Sequence, residues 1–147
     1  MYIDHSFPPN FDAIDKRFGI TKNNYHPIFA YYPAIFNPYR TLIGPELVAH
    51  EEVHGMRQRG DPAQWWERYL IDDDFRLVEE MFAHIAEYEV IATGWPRQHR
   101  RRLQDHIVRR LCFPMYGYQP PLLAHRAQTM FRWALRERGR AHLQLVE

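Results

Sequence analysis

The feature that most constrains this chain is a short run of two histidines and a glutamate, His50-Glu51-Glu52-Val53-His54. On an α-helix, residues four apart share one face, which would place the imidazoles of His50 and His54 side by side, close enough to bind one metal ion. Glu51 is next to the first histidine, where its carboxylate can hold a water molecule at the open position of the metal. The pattern therefore predicts the ligands and the base that zinc-assisted hydrolysis needs.

The residues around this motif favour a helix from about Pro45 to Arg59. Gly44-Pro45 ends the preceding segment, and proline is well tolerated in the first turn of a helix. Gly60-Asp61-Pro62 ends the helix. The competing interpretation is coincidence, because the chain has 9 histidines and the motif fixes only three residues. A further carboxylate on a neighbouring helix would support the metal interpretation.

Length and composition predict a single folded domain. A chain of 147 residues can bury a sizeable core, and 46% hydrophobic with 15% aromatic residues argues against disorder. The single cysteine, Cys112, excludes an internal disulfide and a cysteine-based zinc site, and we expect it to be a buried, inert thiol. No apolar run approaches a membrane span, and residues 1–5 lack signal-peptide features. We therefore expect a protein of the cytoplasm or of a particle, with no membrane association.

Charge is divided between two regions. Residues 61–89 carry nine acidic and two basic side chains, whereas residues 97–140 carry eleven basic and two acidic ones. The run Arg100-Arg101-Arg102, with Arg109-Arg110, could bind phosphate or nucleic acid. The favoured alternative is a solvated helix face that pairs with the acidic region, because no aromatic residues are interleaved for base stacking. Nucleic acid is therefore not an expected partner.

The predicted fold is mainly α (α+β), a compact helical domain with a small edge β-ribbon before the motif helix. Residues 28–32 and 34–36 have strand composition, but Pro33 and Pro38 argue against a central strand. Such an edge could hold an extended substrate backbone, or it could merely cover the motif helix. Further helices are expected at about 11–18, 62–70, 73–92, 96–111 and 122–138. In the helix at 62–70 we expect Trp65 and Trp66 to be buried. In the helix at 73–92 the predicted buried residues are Phe75, Val78, Phe82, Ile85 and Tyr88 or Glu89. In the helix at 122–138 they are Leu123, Ala127, Met130, Phe131, Ala134 and Leu135.

A third metal ligand is expected, because zinc usually takes at least three protein ligands. The residues Asp72-Asp73-Asp74 are good N-cap residues and predict the start of a helix. Glu80 and His84 lie four residues apart on that helix and therefore share one face. Glu80 could bind the ion while His84 holds a ligand in place, and Ala83 leaves room for close helix packing. Glu79 is the rival ligand, but it lies about 100° from Glu80 around the helix, so only one of them can face the ion.

The two motifs together, His50-Glu51-x-x-His54 and Glu80-x-x-Ala83-His84, resemble those of the gluzincin metallopeptidases. That resemblance implies a minimal gluzincin domain of the zincin type over residues 1–147. It implies one zinc ion per chain, held by His50, His54 and Glu80, with Glu51 as general base. His84 stands where many members have aspartate, which leaves its supporting role open.

The chain also resembles small H-E-x-x-H proteins of tailed bacteriophages, over roughly residues 34–135. Gln58, four residues past the second histidine, and the segment Leu111-x-x-Pro114-x-Tyr116-Gly117 carry that resemblance. It implies a metallopeptidase with a peptide or protein substrate, acting in the host cytoplasm or in the virion. The alternative is a virion structural or assembly protein that contacts other phage structural proteins and whose zinc site is structural or idle.

Tyr116 has two possible roles. Many gluzincins use a tyrosine or histidine outside the motif to stabilise the oxyanion, which makes Tyr116 a catalytic candidate. The neighbouring Gly117 allows close backbone approach on a predicted loop at 114–121. The alternative is a packing role, since Tyr116 is one of nine tyrosines.

Overall fold

Six α-helices and a three-stranded sheet make up the fold, which is described by a computed structural model for residues 1–144, with side chains to residue 138. The predicted mainly helical class with a small β element is confirmed. No helix among these residues has the length and apolar character needed to cross a bilayer. The elements are β1 (Tyr2–Asp4), α1 (Phe11–Phe18), β2 (Phe29–Tyr31), β3 (Ala34–Phe36), α2 (Pro45–Arg57), α3 (Pro62–Ile71), α4 (Asp73–Ala92), α5 (Arg97–Leu111), a 3-10 turn (Pro114–Tyr116) and α6 (Ala124–Gln144).

The sheet has the strand order β1-β3-β2, with β1 parallel and β2 antiparallel to β3. The edge prediction is therefore right for β2 and wrong for β3, which is the central strand. Pro33 and Pro38 lie outside β3, so neither removes one of its ladder hydrogen bonds. The strand that makes β3 central is β1, which lies in a polar N-terminal segment where no strand is predicted.

Helix α4 runs through the middle of the molecule and packs mainly against α2. It starts as predicted, because the side chain of Asp72 accepts a hydrogen bond from the backbone nitrogen of Phe75 at 2.9 Å. Small residues allow the two helices to approach closely, since the fully buried Ala83 packs with Val53 and Ala86. That close approach brings side chains of α2 and α4 into direct contact.

The apolar stripe predicted for α4 is partly wrong. Val78 and Phe82 are 44% and 40% exposed, whereas Leu77 and Met81 are buried together with the correctly predicted Ile85. The reason is that α4 turns a face of glutamate and histidine side chains towards α2. In α6 the predicted Ala127 and Phe131 are fully buried, but Leu123 is 58% exposed and precedes the helix.

Two apolar clusters lie on either side of the α2–α4 contact. One joins α1, α3 and the sheet and includes the predicted Trp65 and Trp66. The other joins α4, α5 and α6 around Ile107 and Phe131. Cys112 is half-buried beside the second cluster, and burial raises the pKa of its thiol, as expected of an inert cysteine. The polar residues of α2 and α4 thus lie between two dry cores.

Candidate metal centre

Two helices bring the three predicted ligands together. His50 and His54 lie one turn apart on α2, and Glu80 projects from α4. The Nε2 atom of His50 lies 3.6 Å from Oε2 of Glu80, and Nε2 of His54 lies 3.2 Å from Oε1. All three residues are buried, and their ligand atoms lie within 4.8 Å of one another. The structure thus contains a buried group that could hold a metal ion.

The spacing of these atoms suits a small divalent cation. Around a zinc ion bound at about 2.0–2.1 Å, neighbouring atoms of a tetrahedral shell are about 3.3–3.4 Å apart. The separations of 3.6 Å to Oε2 and 3.2 Å to Oε1 of Glu80 are close to that value. Two imidazole nitrogens and one carboxylate form a donor set that zinc accepts. The residues present therefore fit the ion that the motif predicts.

The carboxylate of Glu79, the alternative third ligand, is hydrogen-bonded to side chains outside the candidate metal group. Its carboxylate accepts hydrogen bonds from Arg57 at 2.6 and 2.7 Å and from the indole nitrogen of Trp65 at 3.2 Å. It is not part of the group formed by His50, His54 and Glu80. The choice between the two neighbouring glutamates thus follows the helical geometry, and Glu80 is the one beside the histidines.

Two tyrosines hold the Glu80 carboxylate in place. The hydroxyl of Tyr69 donates to Oε1 at 2.6 Å, and the hydroxyl of Tyr116 donates to Oε2 at 2.7 Å. Tyr116 therefore lies beside the metal group, while its catalytic role stays a prediction. No sequence signal distinguishes Tyr69 from an ordinary core tyrosine, because its contact with Glu80 joins α3 to α4.

Glu87 is a further site residue that the sequence reasoning missed. Its Oε2 lies 2.9 Å from Nδ1 of His84 and 3.3 Å from Nδ1 of His50, while Arg110 donates to its Oε1. Glu80, His84 and Glu87 are spaced by four and three residues and therefore share one face of the helix. That spacing is the sequence signal from which Glu87 could have been predicted. The predicted supporting role of His84 stays a prediction, and Glu87 is a second residue of α4 that contacts the candidate ligand His50.

His50, His84 and Glu87 form a second group whose geometry could hold a cation. The Arg110 guanidinium already supplies a positive charge to this carboxylate. We therefore interpret Glu87 as the residue that orients His50, because a carboxylate on the far nitrogen of a metal-binding imidazole fixes its tautomer and direction. The Nε2 atom of His84 points towards the first group and lies 3.8 Å from Oε2 of Glu80.

Burial and electrostatic attraction between the side chains determine the protonation states of the histidines and glutamates in this group. Burial lowers the pKa of His50 to about 4. Burial alone would raise the pKa of Glu80, but His54, His50 and His84 hold it well below its ordinary value. Burial alone would lower the pKa of His54, but the charge of Glu80 raises it above its ordinary value. Of the two imidazoles, only His50 is therefore held in the neutral form that binds a metal. Burial raises the pKa of Glu51 to about 8.

The group faces a cavity of about 330 Å³. Glu51 and Tyr116 border the same cavity as the three ligands, and Oε2 of Glu51 is buried without a hydrogen-bond partner among the described residues. Most of the remaining wall is aliphatic or aromatic, including Ile14, Phe18, Ile20, Phe29, Leu47, Trp65 and Met115. The predicted base, a tyrosine hydroxyl and the candidate ligands thus border one cavity with a largely apolar wall.

The outer edge of β2 is occupied by side chains of the protein itself. The carbonyl oxygen of Ala30 accepts hydrogen bonds from Gln58 and from the indole nitrogen of Trp66, each at 3.0 Å. The backbone nitrogen of Tyr32 donates to Gln58 at 2.9 Å. The β-ribbon was expected either to hold a substrate backbone or to cover the motif helix. These contacts favour the second alternative. A substrate backbone could add to β2 only by displacing Gln58 and Trp66.

We expect Glu80→Gln to weaken metal binding at least about 10-fold, because an amide cannot replace a charged ligand. Glu79→Gln is the matched control, since it makes the same change one residue away and removes contacts with Arg57 and Trp65 instead. It should lower thermal stability while metal affinity stays within about 2-fold. Titration against a zinc-responsive dye measures both affinities, and equal weakening would reject Glu80 as the ligand.

Glu87→Gln should lower metal affinity by about 10- to 100-fold through the loss of a charged partner for His50. The control is Glu89→Gln on the same helix, because Glu89 pairs with Arg138 at 2.9 Å away from the group. Dye competition again gives the readout. If Glu87→Gln bound metal as tightly as Glu89→Gln, Glu87 would have no orienting role.

The comparisons with known proteins add no assignment. No protein-family model, curated protein or solved structure matches this chain. The resemblance to gluzincins and to phage proteins rests on the motifs quoted above, and the case for a metal rests on the geometry of His50, His54 and Glu80.

Proposed function

We propose that this protein is a zinc-dependent hydrolase that cleaves peptide bonds. One observation carries the proposal: His50, His54 and Glu80 form a buried group that could hold a metal ion, beside a buried glutamate, Glu51, at the wall of a cavity. A purely structural metal site has no need for a buried carboxylate next to its ligands that does not itself belong to the metal-binding group. Burying such a group costs free energy, which a chemical role for it would explain.

The residues divide the chemistry among them. One zinc ion, held by His50, His54 and Glu80, would polarise the substrate carbonyl and activate water as a Lewis acid. Glu51 takes the proton of the attacking water and passes it to the leaving amine. The hydroxyl of Tyr116 can turn from Glu80 to donate to the carbonyl oxygen as negative charge develops there.

The cavity supports a peptide substrate with apolar side chains. Its wall combines the polar group with aliphatic and aromatic residues, which suits a backbone carbonyl held beside a hydrophobic side chain. The motifs shared with phage proteins support a role during phage infection, in the host cytoplasm or in the virion.

Metal analysis combined with a peptide-library screen tests the proposal. The purified protein should contain one equivalent of zinc and cleave some library members, as read by mass spectrometry. A chelator should abolish cleavage, and added zinc should restore it. A protein that retains its zinc and cleaves no member of the library would contradict the hydrolase proposal and favour the structural or assembly role.

A further inference from the structure

A second cavity, of about 420 Å³, opens at the surface where α4, α5 and α6 meet, and the arginines that line it are exposed. We call it the arginine cavity. It contains no acidic residue, and its lining is Tyr88, Arg97, Arg100, Arg101, Gln104 and Arg132. None of these residues belongs to the metal centre or borders the cavity beside it.

The acidic region was expected to neutralise these arginines, and it does so only in small part. Among the described side chains, ion pairs between the two regions are limited to Glu87–Arg110 and Glu89–Arg138. Several other carboxylates of the acidic region have partners outside α5 and α6: Asp61 and Asp72 cap α3 and α4, Asp73 pairs with Arg76 and Arg17, Glu79 pairs with Arg57, and Glu80 contacts the histidines.

The four arginines of the cavity have no ion-pair partner among the described side chains. Arg97, Arg100 and Arg101 share a face of α5, because they are spaced i, i+3 and i+4, and Arg132 approaches from α6. Like charges that converge on one concavity repel each other, and a bound anion would relieve that repulsion. Guanidinium groups also match phosphate oxygens through paired hydrogen bonds.

Two further features add to the positive potential and the donors of this cavity. Helix α5 begins here without a side-chain cap, so the positive end of its dipole is not neutralised. The side-chain amide of Gln104 donates to the hydroxyl oxygen of Tyr88 at 3.2 Å, which leaves the hydroxyl proton of Tyr88 free to donate. The cavity therefore offers a neutral donor among its four cations.

We propose that the arginine cavity binds the phosphate chain of a small di- or triphosphate-type ligand. The arginines converge on one recess instead of following a track along the surface, which favours a compact polyanion over the backbone of a nucleic acid. This binding function does not depend on the proposed hydrolase activity, because the two cavities share no residue.

Calorimetric titration of the full chain with inorganic pyrophosphate and triphosphate tests the proposal. The test variant is Arg100→Gln/Arg101→Gln. The control is Arg102→Gln/Arg109→Gln, which also removes two charges from exposed positions of α5, but from positions outside the cavity. Both variants leave the metal centre intact, so any chelation of metal by the phosphates contributes equally to the two titrations.

We expect wild type to bind one equivalent, and the cavity variant to bind at least about 10-fold more weakly, given the strength of charged hydrogen bonds. The control variant should stay within about 3-fold of wild type. Equal weakening in both variants would show diffuse charge attraction and overturn the proposal, as would no binding by wild type at millimolar ligand. Tight binding of a 20-nucleotide strand that both variants weaken equally would also overturn it, in favour of a nucleic-acid surface.

Discussion

Replacing His54 with Ala is expected to reduce bound zinc from one equivalent per chain to less than about 0.1 equivalent. The Nε2 atom of His54 lies 3.2 Å from Oε1 of Glu80, so its removal takes away one of only three protein ligands. Two ligands rarely hold zinc through purification, because structural and catalytic sites use three or four. Elemental analysis after gel filtration gives the stoichiometry.

The control for that experiment is His106→Ala, since His106 is exposed on α5 and belongs to no metal group among the described residues. It should retain a full equivalent of zinc. The ring of Trp65 lies 5.5 Å from the ring of His54, so tryptophan fluorescence reports whether the His54 variant is folded. A folded His54→Ala protein with a full equivalent of zinc would refute the proposed centre.

Glu51→Gln should lower peptide hydrolysis at least about 100-fold, as expected for the loss of a general base. Glutamine keeps the size and hydrogen-bonding reach of the side chain but cannot accept the proton of water. Zinc content should stay at one equivalent, because Glu51 is not among the three ligands. Rates of cleavage for a peptide selected from the library, measured at saturating zinc, give the comparison.

The matched control is Glu52→Gln, the same change at a half-exposed neighbour that contacts the N-terminal amine at 3.4 Å. It does not border the cavity and should leave the rate within about 2-fold of wild type. Cleavage that persists undiminished in Glu51→Gln would mean a different mechanism or a contaminating peptidase.

The sequence predicts those parts of the site that lie within one helix. The spacing of His50 and His54 is a property of α2 alone, and the rule that only one of Glu79 and Glu80 can face the ion is a property of α4 alone. Both follow from 3.6 residues per turn. The start of α4 was equally readable, because the cap formed by Asp72 involves residues three apart.

The parts that the sequence did not predict depend on contacts between distant elements. Tyr69 reaches Glu80 from another helix, and Glu87 acts only because Arg110 and His50 lie against it. The central position of β3 depends on β1, more than 30 residues away. Val78 and Phe82 were expected to be buried because apolar side chains usually are, but here the polar face of α4 turns inward to form the metal group.

Glu80 has a consequence for the folding equilibrium of the whole domain. Its carboxylate contacts α2 through His54, α3 through Tyr69 and the 114–116 turn through Tyr116. An ion at this position would bind only the folded domain. By thermodynamic linkage, it would raise the free energy of unfolding by about 2.7 kcal/mol at a free ion concentration 100 times its Kd. The supply of metal would then set the lifetime of the folded chain as well as its chemistry. A shortage of that ion would lower the folded fraction of the chain and so increase its exposure to proteolysis.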